Sequence, residues 1–91
     1  MTASNIDQWI DTATTNLKKL FTHATNGVEF TDLQSTLLSL TNTMDTSALL
    51  NAHNALAIER QRLWELKTDT KYVDMLHAHV SKVLRNAGAF A

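Results

Sequence analysis

The residues with chemistry to offer in this 91-residue chain are four histidines, eight lysines and arginines, and two tryptophans. "HAH" at 77–79 is the first metal candidate, because imidazole is a common transition-metal ligand. Two residues apart on a helix is about 200° of rotation, so His77 and His79 cannot hold one ion from one face. Asp74 lies three before His77 but on a different side from His79, and no carboxylate completes a set at helical spacing. Surface histidines explain this motif better than a metal site. His53 differs, since it falls between Leu49 and Leu56 on an apolar stripe. It reads first as a half-buried histidine bonded to a neighbouring side chain. The functional alternative is a pH-sensitive contact at a helix interface.

Arg60, Arg62, Lys67 and Lys71 form a basic ladder. On a continuous helix Arg60, Lys67 and Lys71 recur at seven and four residues, share a face, and could follow a phosphate backbone. Glu59, Glu65 and Asp69 are interleaved with them, so a solvated face of weak ion pairs accounts for the same pattern. For catalysis there is little. The chain has no cysteine, no G-x-S-x-G, no phosphate-cradling glycine loop and no H-E-x-x-H. Its carboxylates occur singly, without the apolar pocket that general acid–base work requires. Neither an enzyme, a metal centre nor a cofactor site is expected.

The elements that must carry these side chains are helical. Ile6, Trp9, Ile10, Ala13, Leu17, Leu20 and Phe21 recur at three and four residues, which predicts an amphipathic helix over about 6–25. Ser4 or Asn5 can cap its start, and "NG" at 26–27 can stop it. A second helix is expected at 31–42, where Thr31 and Gln34 fit a capping box and Leu33, Leu37 and Leu40 form a stripe. "TNTMDTS" then lowers helix propensity and places a turn at 42–47. The third segment opens at Asp45, Thr46 or Ser47 and runs to about residue 86. Its stripe is Leu49, Ala52, Leu56, Leu63, Leu66, Val73, Val80 and Leu84. A continuous helix of that length would extend about 60 Å. "KTDTK" at 67–71 can interrupt it, with Asp69 or Thr70 as a cap. The expectation is a single all-α domain over 1–91, a helical hairpin or small bundle of three helices with a long C-terminal helix. A compact three- or four-helix bundle is the rival arrangement.

Bulk properties agree with that class. Hydrophobic residues make up 44% and charged residues 19%, within the range of chains that bury a core. Proline is absent and glycine occurs only twice, too few turn formers for a small sheet protein. No apolar run approaches the roughly 20 residues that span a bilayer, so no membrane span is expected. No conventional signal peptide is visible in "MTASNIDQWID". Charge is unevenly spread. Residues 1–55 hold two lysines against five carboxylates, and residues 56–91 hold six cations against four carboxylates. Such polarity permits head-to-tail association of copies and does not single out nucleic acid.

Two families share parts of this pattern. "DLQSTLLSLTNTMDTSALL" at 32–50 resembles the hairpin of type III secretion needle and inner-rod proteins. They too are short chains with leucines before a turn and a leucine pair after it, here Leu49–Leu50. A terminal aliphatic pair, here Val83–Leu84, and a tryptophan near the N-terminus also match. That resemblance implies a helical homopolymer around a secretion channel, aided by chaperones before assembly. "LLNAHNAL" followed by Arg60, Arg62 and Lys67 is similar to the long helix of nodaviral RNA-silencing suppressors. It implies a dimer lying along double-stranded RNA and reading shape and phosphates.

These features favour a non-enzymatic helical protein that acts by self-association, with a needle-like secretion subunit as its most specific version. Trp9, Trp64, Val80 and Leu84 are the expected contacts between copies. The stripe of segment three is expected to close a hairpin against Leu33, Leu37 and Leu40. The alternative is a dimeric double-stranded-RNA binder using Arg60, Arg62, Lys67 and Lys71. A small chaperone or adaptor for one helical protein partner is a third option. Such a chain would be secreted by a dedicated apparatus, or would act in the cytoplasm of an infected cell.

Overall fold

The computed structural model describes residues 3–24 and 27–89. Among them the apolar stripes of the sequence fold into four helices: α1 (Ala3–His23), α2 (Phe30–Thr41), α3 (Thr46–Glu65) and α4 (Lys71–Asn86). The all-α class is as expected, and the third segment is two helices instead of one. The longest dimension is 39 Å, shorter than the rod that an unbroken third helix would make.

The break arises from backbone chemistry at residues 66–70. Leu66 and Lys67 donate to the carbonyls of Arg62 and Trp64, at 3.1 and 3.0 Å, and Thr68 reaches back to Leu63 at 2.9 Å. That last bond closes a Schellman motif, which requires a left-handed residue at the turn. Lys67 supplies it with φ 56°, although glycine is the usual choice there. Asp69 Oδ1 then accepts the Lys71 N–H at 3.0 Å, and the Thr70 hydroxyl donates to Asp74 Oδ2 at 2.8 Å. Together these start α4 in a new direction. The end of α4 repeats the motif, with Ala89 bonded to Leu84 at 2.9 Å and Gly88 at φ 75°.

The other helix ends follow local rules, with one departure. Asp45 caps α3 by accepting the Ala48 N–H at 2.8 Å, as its position predicts. The expected box between Thr31 and Gln34 does not form. Glu29 holds the extended backbone of a cap, and its carbonyl accepts from Leu33 at 3.1 Å. Thr31 is therefore already inside the first turn. The helix start predicted at Ser4 or Asn5 also lies inside a helix, since α1 is under way at Ala3. Thr25 and Asn26, expected to end α1, lie outside the described residues.

One core joins all four helices. Its buried members are Ile6, Ile10, Ala13 and Leu17 from α1, Leu37 from α2, Leu49, Ala52 and Leu56 from α3, and Val73, Leu76, Val80 and Leu84 from α4. The most extensive pairing is α3 with α4, and α1 lies against both of them; α2 packs on α1 and α4. The hairpin expected between the second and third segments is thus replaced by one between α3 and α4. Once residues 66–70 reverse the chain, α4 covers the stripe that a straight third helix would have offered to Leu33, Leu37 and Leu40.

Leu56 is fully buried at the centre of α3. Leu56→Ala is expected to lower unfolding free energy by about 2–5 kcal/mol, through lost burial and the cavity left behind. Leu56→Asp should abolish the cooperative transition. Chemical denaturation followed by circular dichroism checks both, and a Leu56→Asp chain with native stability would contradict this account of the core.

Candidate functional site

Polar side chains meet where α3 pairs with α4. His53 and His77 stack across the interface with ring centroids 4.5 Å apart and planes inclined by 29°. Arg60 Nη1 lies 3.3 Å from His77 Nδ1. A guanidinium can only donate, so Nδ1 accepts and the neutral ring carries its proton on Nε2. Arg60 Nε faces Asp74 Oδ1 at 2.9 Å. Both atoms are shielded from solvent and off the line of a regular hydrogen bond, which makes this an ion pair. The same guanidinium lies 4.7 Å from the Trp64 ring centroid. Arg60 therefore braces α4 through Asp74 and His77 while covering part of Trp64.

His79 has a separate environment beneath α2. It is buried, and its Nε2 lies 3.0 Å from Thr41 Oγ1, itself 3.2 Å from the Leu37 carbonyl. The single hydroxyl proton of Thr41 can go to that carbonyl, leaving Oγ1 to accept the imidazole N–H. The sequence treats "HAH" as surface residues. The structure instead puts His79 in the core and His77 half-buried against α3. Helical periodicity shows the cause: His79 follows Leu76 by three and precedes Val83 by four, on the inner side of α4. His53 fits its expected half-buried place on the stripe, with His77 as the neighbour.

The basic ladder does not survive as one face. Lys67 turns the chain, so Arg60 belongs to α3 and Lys71 to α4. Arg62 pairs with Glu59 one turn earlier, an arrangement that raises its pKa first by hydrogen bonding and then by charge. Lys71 Nζ sits 4.2 Å from the Phe21 centroid, and Phe21 meets Tyr72 edge-on at 5.8 Å. Lys67 stands exposed on the turn. Three of the four cations are thus engaged within the chain, at charge partners or rings.

The expected contacts between copies divide as well. Val80 and Leu84 are fully buried in the monomer core, so in this fold they are not available to a second molecule. Trp9 is half-buried and its indole Nε1 donates to the Leu40 carbonyl at 3.0 Å, tying α1 to α2. Trp64 remains on the surface at 50% exposure. Phe30 is exposed too; sequence reasoning missed the exposure of Leu38 and Ile58, and it placed on the stripe Leu66, which the structure leaves exposed. Leu50, the second member of the leucine pair after the turn, is also exposed, at 36%. The signal was present in spacing, because Leu50, Ala57 and Trp64 recur every seven residues, one step beyond Leu49, Leu56 and Leu63. Two such lines lie about 100° apart around a helix, so the second falls at the margin of the buried face.

Among the described residues, no group of three or more histidines or carboxylates is placed to hold a metal ion, and no helix is long and apolar enough to cross a membrane. The fold and these surfaces define a small all-α domain with an apolar outer line on one helix. No family model, curated protein or solved structure matches the chain.

Burial lowers the pKa of both inner histidines below the ordinary 6.5. At His77 the neighbouring His53 and Arg60 add to the effect and Asp74 opposes it; at His79 Lys82 adds and a bond to Leu37 opposes. The unfolded chain therefore takes up protons first as pH falls. Their contribution to stability is present above about pH 6.5 and is lost progressively below it. Thermal unfolding should show a falling midpoint on acidification through that range. The slope should flatten in His79→Gln, which retains a donor for Thr41. An acid slope identical in wild type and His79→Gln would remove His79 from this account.

Proposed function

We propose that this protein is a non-enzymatic helical subunit that works by association with copies of itself, using the outer side of α3. One observation carries the reading: α3 has two apolar lines in register, and the fold uses only one. Leu49, Ala52 and Leu56 are buried, whereas Leu50 and Trp64 are 36% and 50% exposed on the outer line and Ile58 beside it is 71% exposed. Asn54 and Gln61 fall between the outer apolar positions. With polar residues at the intervening positions, Leu50, Ile58 and Trp64 make a narrow apolar strip on the outer side of α3 that a second helix can cover.

The occupant that best fits is a second copy. The chain is close to neutral overall, and the opposite excess charge of residues 1–55 and 56–91 permits head-to-tail association of copies. An acidic N-terminal portion meeting a basic C-terminal one makes a head-to-tail contact, which closes into rings or grows as a filament. A needle-like secretion subunit is the most specific form of this proposal. It calls for a long C-terminal arm, and hence for α4 to extend from the turn at 66–70. A duplex-RNA binder finds less support, because Arg60, Arg62 and Lys71 are already engaged within the chain.

Light scattering over a concentration series, with and without random duplex RNA, tests the proposal. Mass is expected to rise with concentration irrespective of RNA. Trp64→Ala and Ile58→Lys should lower association while helicity by circular dichroism stays at the wild-type level. A wild-type chain that remains monomeric throughout the series would overturn the self-association reading. Salt-dependent RNA binding, lost on charge reversal at Arg60 and Lys67, would replace it with the nucleic-acid reading.

A further inference from the structure

The connection between α3 and α4 combines a left-handed, non-glycine residue with a sequence that can also continue as a helix. Lys67 is the one non-glycine residue with positive φ among those described. Residues 46–86 contain neither proline nor glycine, so nothing in their covalent structure forbids a helix running through 66–70. The apolar stripe also keeps its phase across the turn. Leu49, Leu56 and Leu63 lead by multiples of seven to Leu84, and Ala52 leads likewise to Leu66, Val73 and Val80. Leu66 is the member of that series that gains nothing from the folded-back arrangement, being 60% exposed at the turn. In a straight helix it would rejoin the stripe.

We infer that two copies of this chain exchange α4, with residues 66–70 straightening so that α3 and α4 run as one helix from one copy into the other. The inference deepens the self-association reading by naming the element exchanged, and it rests on that reading. An opened α4 carries Val73, Leu76, Val80 and Leu84 out of a core in which each is nearly or fully buried. The surface shaped to receive them is the space left by the corresponding α4 of an identical chain. Apart from the turn itself, the exchanged dimer regains the contacts that α4 makes with α1, α2 and α3. Short, conformationally strained connections between packed elements favour such exchange. Two features hold the chain in the closed form. Asp69 and Thr70 bond across the start of α4, and Arg60 braces Asp74 and His77 beside the turn.

Full-length chain carrying His53→Cys and His77→Cys, treated with a short bis-maleimide, reports which copy supplies α4. These two positions meet across the α3–α4 interface. Size-exclusion chromatography first separates monomer from dimer. Exchange predicts a monomer-sized cross-linked product from the monomer peak and a dimer-sized one from the dimer peak. Variants that keep both histidines provide an independent measure. Combining Thr68→Ala, Asp69→Ala and Thr70→Ala raises helix propensity in the connection and removes its bonds to the start of α4. It should increase the dimerisation constant about tenfold or more, since both chains gain. Lys67→Gly relieves the left-handed residue in the closed form and should shift the population toward monomer. A dimer peak that yields only monomer-sized product, with dimerisation unmoved by the triple variant, would overturn exchange and leave association through the outer line of α3 standing. Monomer alone at every concentration, for wild type and triple variant alike, would overturn both.

Discussion

The pairing of α3 with α4 depends on one lysine holding a left-handed backbone. With Lys67 at φ 56°, the Thr68 N–H can reach the Leu63 carbonyl and the helix ends in a Schellman motif. A left-handed conformation costs a non-glycine residue roughly 1–2 kcal/mol. Folding α4 back over α3 recovers more than that, because Val73, Leu76, Val80 and Leu84 leave water together, each worth about 1.5–3 kcal/mol on full burial. Local strain is thus held in place by tertiary packing. The same motif at the end of α4 has Gly88 in the left-handed position and carries no such strain.

A pairing closed by that turn must also accommodate charge. Arg60 brings a guanidinium to the interface, and two imidazoles stack beside it. Three positively charged groups in one place would repel. The arrangement avoids this by keeping His77 neutral, with Nδ1 accepting from Arg60, and by placing Asp74 against the guanidinium. Lowered imidazole basicity at His77 is the electrostatic counterpart of that geometry. His79 reaches the same neutral state by burial beneath α2, away from Arg60 and next to Thr41.

Much of this was legible in the residues, and what was not has physical reasons. The α1 stripe of Ile6, Ile10, Ala13 and Leu17 and the Asp45 cap were plain, because periodicity and capping act within a few residues. The break was foreseen at 67–71 only as an option. A lysine in the left-handed region leaves no signature in sequence, unlike a proline or glycine. That uncertainty spread to the site. A continuous third helix puts Arg60, Lys67 and Lys71 on one face and leaves Val80 and Leu84 for another molecule. The reversal separates the first set and buries the second pair. Trp64 stayed on the surface as expected, since it lies on the outer line of α3 and the reversal does not cover it.

The two apolar lines of α3 carry different amounts of information about function. The inner line is explained once α1 and α4 cover Leu49, Ala52 and Leu56, for a small domain needs such a core to fold at all. The outer line contributes nothing to that core. Leu50, Ile58 and Trp64 remain exposed in a helix whose polar positions could have filled the same face. Single exposed leucines are ordinary on protein surfaces, but here Leu50 and Trp64 share one side of α3 with Ile58 beside them. Part of the Trp64 ring is covered within the chain, by Arg60. Because Arg60 also braces Asp74 and His77, an event at the Trp64 surface is one residue removed from the contacts that keep α4 closed. Arg60 is thus the single side chain that joins the outer line of α3 to the contacts holding α4 closed.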